Sequence, residues 1–186
     1  FQFKTSNAAV NFWNLTNSMQ LTISGGTFYY TCNATAGGNS MFNIGNADAK
    51  VTISGGTFVK SGVGSVMFNK AAGTLSITGG DFTNNGTGET IAVKDPVGKV
   101  TVKNAIFAGT STSYWMYVSA EQNSSGTNAN VAIDGVTVEC TNYCLFVANS
   151  SKVNASITIA NSTFTSEYYR GISDIRGCVK SVTNCT

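Results

Sequence analysis

The chain has 186 residues and a formal net charge of +2, with 11% charged residues and no histidine. The lack of histidine excludes Ser-His-Asp and Cys-His catalysis and histidine-ligated zinc. Lysine and arginine are scattered, and no apolar stretch approaches the roughly 18 residues of a membrane-spanning helix. Neither nucleic acid nor a membrane is therefore an expected partner.

Polar uncharged residues dominate the composition, with 20 Gly, 20 Asn and 44 Ser plus Thr. Hydrophobic residues nevertheless make up 42% of the chain, which is too apolar for a disordered linker. The composition predicts a folded, β-rich, secreted chain.

An internal repeat organises the sequence. Six copies begin 30, 24, 25, 31 and 26 residues apart: Leu21–Phe28, Val51–Phe58, Leu75–Phe82, Val100–Phe107, Val131–Val138 and Ile157–Phe164. A partial seventh copy, Lys180–Thr186, aligns with the start of the sixth. Each copy opens with apolar and polar residues in alternation, which predicts a half-buried strand.

The fifth position of every copy holds only Gly or Asn: Gly25, Gly55, Gly79, Asn104, Gly135, Asn161 and Asn184. These residue types adopt the left-handed αL conformation most readily, so we expect one αL residue to turn the chain between two strands. The phenylalanine three positions later is expected to re-enter the core.

A second apolar cluster follows in each period, as in Met41-Phe42, Val66-Met67-Phe68 and Leu145-Phe146-Val147. Each period thus contains three short strands. This pattern predicts an all-β, right-handed parallel β-helix (solenoid) of about seven coils, with 24 to 31 residues per coil. Residues 1–186 are expected to form a single β-helix domain.

In coil length, Gly/Asn corner and repeated S/T-G-G-x-F, the sequence resembles the right-handed parallel β-helix superfamily of pectate-lyase-like solenoids. That resemblance implies an architecture and raises polysaccharide cleavage as an activity. Such enzymes gather carboxylates to hold Ca²⁺ or to act as acid and base, whereas the nine carboxylates here are scattered. We therefore expect no catalytic site, no metal and no cofactor. The densest polar group, Glu167, Arg170, Asp174 and Arg176, is either a sugar site or a set of exposed ion pairs.

The five cysteines lack zinc-site spacing. We expect local disulfides pairing Cys140 with Cys144 and Cys178 with Cys185. Cys32 is left over, either as a buried thiol or as a partner for a neighbouring chain.

Glycosylation sequons are more numerous than the composition requires. They occur at Asn14, Asn33, Asn85, Asn123, Asn149, Asn154, Asn161 and Asn184. At Asn161 and Asn184 the αL corner alone explains the residue type. Together with possible disulfides, the sequons favour a secreted or cell-surface eukaryotic glycoprotein.

Two surface patterns leave binding functions open. The outward column Thr22, Thr52, Ser76, Thr101, Ala132 and Thr158 resembles an ice-binding face, but Lys103 and Asp134 interrupt the neighbouring column. Aromatic residues outside the core pattern, among them Tyr114, Trp115, Tyr143, Tyr168 and Tyr169, either stack on sugars or subunits or pack over loops.

Neither end of the sequence offers a recognisable cap, so we expect a segment of a longer solenoid or a unit that stacks end to end with copies of itself. The favoured function is an extracellular structural glycoprotein that builds a filament, a surface coat or an adhesin shaft. Its partners would be itself and glycans. The alternatives are a carbohydrate-active fragment and an ice- or glycan-binding module.

Overall fold

A computed structural model describes residues 1–5, 11–33, 39–63, 65–94, 99–119 and 129–186. Within these ranges the chain forms 21 short β-strands and no helix. Each strand pairs in parallel with the strand three places further along the chain. This connectivity is that of a parallel β-helix with three strands per coil, and it confirms the predicted fold class.

Three parallel sheets run the length of the described chain. The first contains β1 (Gln2–Thr5), β4 (Thr27–Cys32), β7 (Thr57–Gly62), β10 (Gly80–Gly86), β13 (Ala105–Ala108), β16 (Thr137–Cys140) and β19 (Thr163–Ser166). The second contains β2 (Trp13–Leu15), β5 (Asn39–Ile44), β8 (Ser65–Lys70), β11 (Ile91–Val93), β14 (Met116–Val118), β17 (Leu145–Val147) and β20 (Ile172–Asp174). The third contains β3 (Gln20–Ile23), β6 (Lys50–Ile53), β9 (Thr74–Ile77), β12 (Lys99–Lys103), β15 (Asn130–Asp134), β18 (Ser156–Ala160) and β21 (Val179–Thr183). Seven strands in each sheet correspond to about six full turns. The right-handed winding stays a prediction from the crossover rule.

In the third sheet, the residues that pair between neighbouring strands are the same residues that align between copies of the sequence repeat. Its paired residues are Leu21, Val51, Leu75, Val100, Val131 and Ile157, the first residues of the six predicted copies. In the last copy Thr158 pairs with Ser181 as predicted, but Ile157 pairs with Val179. Lys180 is therefore an extra residue in a bulge.

The corner between the third and first sheets takes two forms. Asn104, Gly135, Asn161 and Asn184 have φ values of 48°, 65°, 50° and 52°, so the αL prediction is confirmed there. It is wrong for Gly25, Gly55 and Gly79, because the positive φ lies one residue later, at Gly26, Gly56 and Gly80 (104°, 112° and 113°). These angles lie beyond the αL region, in backbone that only glycine adopts easily, so a Gly-Gly pair turns at its second residue.

Aromatic ladders fill the core. Phe28, Phe58, Phe82 and Phe107 stack with centroid separations of 5.0, 4.9 and 4.9 Å, which confirms the predicted phenylalanine position. Trp13, Phe42 and Phe68 form a parallel ladder on the second sheet, at 4.4 and 4.6 Å. Edge-to-face contacts, such as Phe42 to Phe58 at 5.9 Å, join the two ladders.

The first ladder changes at Val138, which occupies the phenylalanine position between Phe107 and Phe164. The indole ring of Trp115 lies 5.2 Å from the Phe107 ring and 5.7 Å from the Phe164 ring. Trp115 is only 2% exposed. A side chain from the second sheet therefore supplies the aromatic layer that the smaller valine leaves open.

Candidate functional surface

The outer face of the second sheet begins with a ladder of asparagine side chains. Asn43 Nδ2 donates to Asn14 Oδ1 at 2.7 Å, and Asn69 Nδ2 donates to Asn43 Oδ1 at 2.9 Å. The three residues share one register column. These hydrogen bonds link the amides from coil to coil and reinforce the stacking, and the ladder ends at Asn69, whose buried Oδ1 has no hydrogen-bond partner among the described residues.

The same column becomes aromatic in later coils, at Tyr117 in β14 and Phe146 in β17. Tyr114, Tyr143 and Tyr169 reach it from the loops before β14, β17 and β20. We call these five residues the aromatic surface. The Tyr114 ring stacks on Phe146 at 4.7 Å and on Tyr117 at 5.4 Å, and Tyr143 stacks on Tyr169 at 5.1 Å.

The rings are partly open to solvent, and Tyr169 is 58% exposed. Burial is the main cause that raises the pKa of the Tyr114 hydroxyl, and the nearby groups of Tyr117, Glu89 and Tyr143 raise it further. Tyr114 therefore keeps its proton at physiological pH and remains a hydrogen-bond donor.

A disulfide holds the loop that carries Tyr143. Cys140 and Cys144 are bonded, with a Cα–Cα separation of 5.9 Å, so this predicted pair is confirmed. On the other side, the backbone N–H groups of Trp115 and Met116 donate to the carbonyls of Tyr143 (3.2 Å) and Cys144 (2.8 Å). The loop is thus attached both to its own coil and to the preceding one.

Two shallow pockets that share Thr141 lie next to each other, and the first borders the aromatic surface at Tyr169. One, of about 240 Å³, is lined by Thr112, Thr141, Asn142, Tyr168 and Tyr169. The other, of about 320 Å³, includes Thr110, Thr165 and the carboxylate residues Glu139 and Glu167. The surface therefore combines planar rings with hydroxyl, amide and carboxylate groups.

The second predicted disulfide is wrong. Cys178 is a buried thiol and Cys185 is a partly exposed one. The extended strand β21 lies between them, and its five residues rise roughly 3.3 Å each. That separation exceeds the roughly 7 Å between Cα atoms that a disulfide can span.

Cys32 is buried, and its sulfur accepts a hydrogen bond from Asn39 Nδ2 at 3.0 Å. This placement matches the expectation of a buried thiol. Pairing with a neighbouring chain stays untested.

Seven of the eight sequon asparagines lie in the described ranges and all seven are exposed: Asn14, Asn33, Asn85, Asn149, Asn154, Asn161 and Asn184. Asn123 lies outside the described residues. Asn161 Nδ2 donates to Asp134 Oδ1 at 2.9 Å, and Asn184 Nδ2 donates to Asn161 Oδ1 at 3.2 Å. The side-chain amides of Asn161 and Asn184 therefore form structural hydrogen bonds at the corner, and these bonds explain the two asparagines without a glycan.

The two acidic members of the polar group near the end of the chain, Asp174 and Glu167, make local contacts. Asp174 accepts hydrogen bonds from the backbone N–H groups of Arg176 (3.1 Å) and Val179 (2.7 Å), which places it in a turn. A hydrogen bond from the Tyr168 hydroxyl to Glu167 raises the pKa of that tyrosine. Within the described ranges, no group of three histidine, cysteine or acidic residues could hold a metal ion.

The outward threonine column is observed in register. In the neighbouring column Lys103 Nζ lies 3.6 Å from Asp134 Oδ2, and both side chains are more than 40% exposed. This ion pair interrupts the uncharged grid that an ice-binding face requires.

Comparisons with protein-family models, curated proteins and solved structures find no match to this chain. The geometry alone therefore defines its class as a parallel β-helix protein. In the part of the chain that the structure describes, no helix is long and apolar enough to cross a membrane.

The sequence prediction assigned Phe146, in Leu145-Phe146-Val147, and Tyr117, in the equivalent Met116-Tyr117-Val118, to the second apolar cluster of their coils, and it left Trp115 outside the core pattern. The structure reverses both assignments, since Trp115 is buried while the other two face outward. The alternation of side chains along a strand could have predicted this orientation. Met116 and Val118 flank Tyr117, and Leu145 and Val147 flank Phe146, so inward-facing flanking residues place the central ring outward.

Proposed function

We propose that this chain is a rigid structural module of an extracellular glycoprotein, a β-helix shaft that holds other parts of its assembly apart. The observation that carries this proposal is the continuity of the ladders. Each sheet is hydrogen-bonded from its first to its seventh strand, and aromatic rings stack along the same axis.

A continuous ladder suits a load-bearing part. Each coil contacts the coils before and after it, so stability accumulates along the axis. At about 4.8 Å per coil, seven layers give a rod on the order of 30 Å long. Exposed sequons on several coils support the glycoprotein part of the proposal, because a glycan attached there projects into solvent.

The test is single-molecule force spectroscopy on the whole chain, held at its two termini. A shaft should resist extension and then lengthen in steps of 24 to 31 residues, the lengths of its coils. Phe58→Ala should lower the unfolding force, because Phe58 stacks between Phe28 and Phe82. Continuous extension at low force, without steps, would contradict the proposal.

Glycan binding is a second candidate function, favoured by the aromatic surface. Planar rings stack on the apolar faces of sugars, and the carboxylates of Glu139 and Glu167 in the adjoining pocket can accept hydrogen bonds from sugar hydroxyls. The test is a glycan array, followed by titration with any oligosaccharide that binds. Tyr143→Ala should abolish binding, whereas Tyr29→Ala, at an exposed ring on the first sheet and outside the aromatic surface, should not. Equal binding by both variants would exclude this surface.

A further inference from the structure

Two lysines of the described residues, Lys60 and Lys70, are fully buried, and Lys60 lies at an inward position of the solenoid where an aliphatic residue would be expected. Lys60, in β7, is 0% exposed. A buried ammonium group is costly unless it is paired or loses its proton. The surroundings of this amine therefore decide its chemistry.

Lys60 faces the amide of Asn84 on the next coil. The two residues are register partners in β7 and β10. Lys60 Nζ donates to Asn84 Oδ1 at 3.3 Å, and Asn84 is itself 2% exposed. The hydrogen bond places the amine beside the amide group whose carbon, Cγ, carries Oδ1.

The Asn84 amide is oriented by three further hydrogen bonds. Gly86 N–H donates to Oδ1 at 3.1 Å, which polarises the carbonyl toward developing negative charge. The Nδ2 group donates to Gly88 O at 2.8 Å and to Thr90 Oγ1 at 3.1 Å. The carbonyl therefore points at the lysine, and the NH₂ group points away from it.

Gly86 also makes room for the amine, because a Cβ at this position would collide with Lys60 Nζ. A small cavity of about 10 Å³ borders Asn84 and Thr90. That volume accommodates one molecule the size of water or ammonia.

Burial lowers the pKa of Lys60 to about 8, while the charges of Cys32 and Glu89 act in the opposite direction. With that pKa, about a tenth of this lysine is a neutral, nucleophilic amine at pH 7. An exposed lysine would be almost entirely protonated.

We propose that Lys60 and Asn84 join in an intramolecular isopeptide bond. The neutral Nζ attacks Asn84 Cγ, with Gly86 N–H stabilising the oxyanion of the tetrahedral intermediate. Collapse of the intermediate breaks the Cγ–Nδ2 bond. Nζ gives up one proton, Nδ2 gains one and leaves as ammonia, and no oxidant or reductant is needed.

In the tetrahedral intermediate Nζ and Nδ2 are both bonded to Cγ, so the proton that Nζ releases can be taken up by Nδ2, directly or through a water molecule, without a further side chain. The product covalently links β7 to β10, two neighbouring coils, and this inference does not depend on the proposed shaft function.

The test is the intact mass of the purified, folded chain, followed by peptide mapping. In unglycosylated protein whose Cys140–Cys144 disulfide has been reduced, we expect a mass lower than that of the sequence by one ammonia molecule, and a branched peptide joining Lys60 to Asn84. Trypsin should not cleave after Lys60. A mass equal to that of the sequence, or cleavage by trypsin after Lys60, would overturn the proposal.

Variants separate this reaction from another source of ammonia. A succinimide at Asn85–Gly86 also releases ammonia, but it does not require Lys60. The mass loss should disappear in Lys60→Met and in Asn84→Ala. It should persist in Asn43→Ala, whose asparagine lies in the outer ladder. Persistence of the loss in Lys60→Met would assign it to the succinimide and refute the bond.

Discussion

Val138→Phe would restore the repeat pattern at the one position of the ladder where phenylalanine is missing. The pattern alone suggests that this change stabilises the protein by completing the stack. The structure predicts the opposite, because the indole ring of Trp115 already lies between Phe107 and Phe164.

The expected cost follows from the space available. Val138 is 0% exposed and Trp115 is 2% exposed, so neither can move into solvent without loss of packing. The cavity that Trp115 and Phe107 help to line has room for about one water-sized molecule and does not border Val138, so it offers no space for a phenyl ring at that position. Over-packing of this kind costs about 1–3 kcal/mol.

Urea denaturation of the wild type, Val138→Phe, Trp115→Leu and the double variant checks this reasoning. Trp115→Leu alone should be destabilising because it opens a cavity, and the double variant should be more stable than the two single effects predict. Ile106→Ala, at a 53% exposed position of the first sheet, is the control and should change stability by less than about 0.5 kcal/mol. A more stable Val138→Phe variant would refute the account of the core.

Three further predictions concern the corner, the disulfide and the buried lysine. Asn161→Ala should be less stable than Asn161→Gly by about 1 kcal/mol in thermal or urea unfolding, because φ is 50° and both variants lose the same side-chain hydrogen bonds; equal stabilities would contradict an αL corner. Replacing Cys140 and Cys144 by serine should cost about 2 kcal/mol, the loop-closure entropy of so short a loop, and a reducing agent should then have no further effect on unfolding. On refolding of the unreacted chain, the rate of ammonia loss measured by mass spectrometry should rise about tenfold per pH unit below about 8 and then level off, because only the neutral Lys60 amine reacts; a rate that falls as pH rises would contradict the mechanism.

The repeat predicted the coil boundaries and the register because one physical requirement recurs in every copy. An apolar residue must alternate with a polar one, and glycine or asparagine must follow, so Leu21, Val51 and Leu75 align in the sequence as they do in the third sheet. The phenylalanine ladder followed from the same alignment. The corner was misplaced only where two glycines stand together, since either one satisfies the sequence pattern and only the backbone path selects Gly56 over Gly55.

The features that the repeat did not predict depend on contacts between non-equivalent residues. Trp115 fills a gap left by Val138 from another sheet, and no alignment of copies pairs those two positions. The amine of Lys60 meets Asn84 because both interrupt the apolar alternation at the same register position of adjacent coils. That coincidence is visible in the sequence only once the coils have been aligned strand by strand.

The proposed shaft function is tested most directly by electron microscopy of the glycosylated protein purified from its source. The account predicts rods of uniform width, with strand layers about 4.8 Å apart and glycan density at exposed sequons such as Asn149 and Asn154. A compact particle without layered strands, or a rod with no glycan at any sequon, would contradict it.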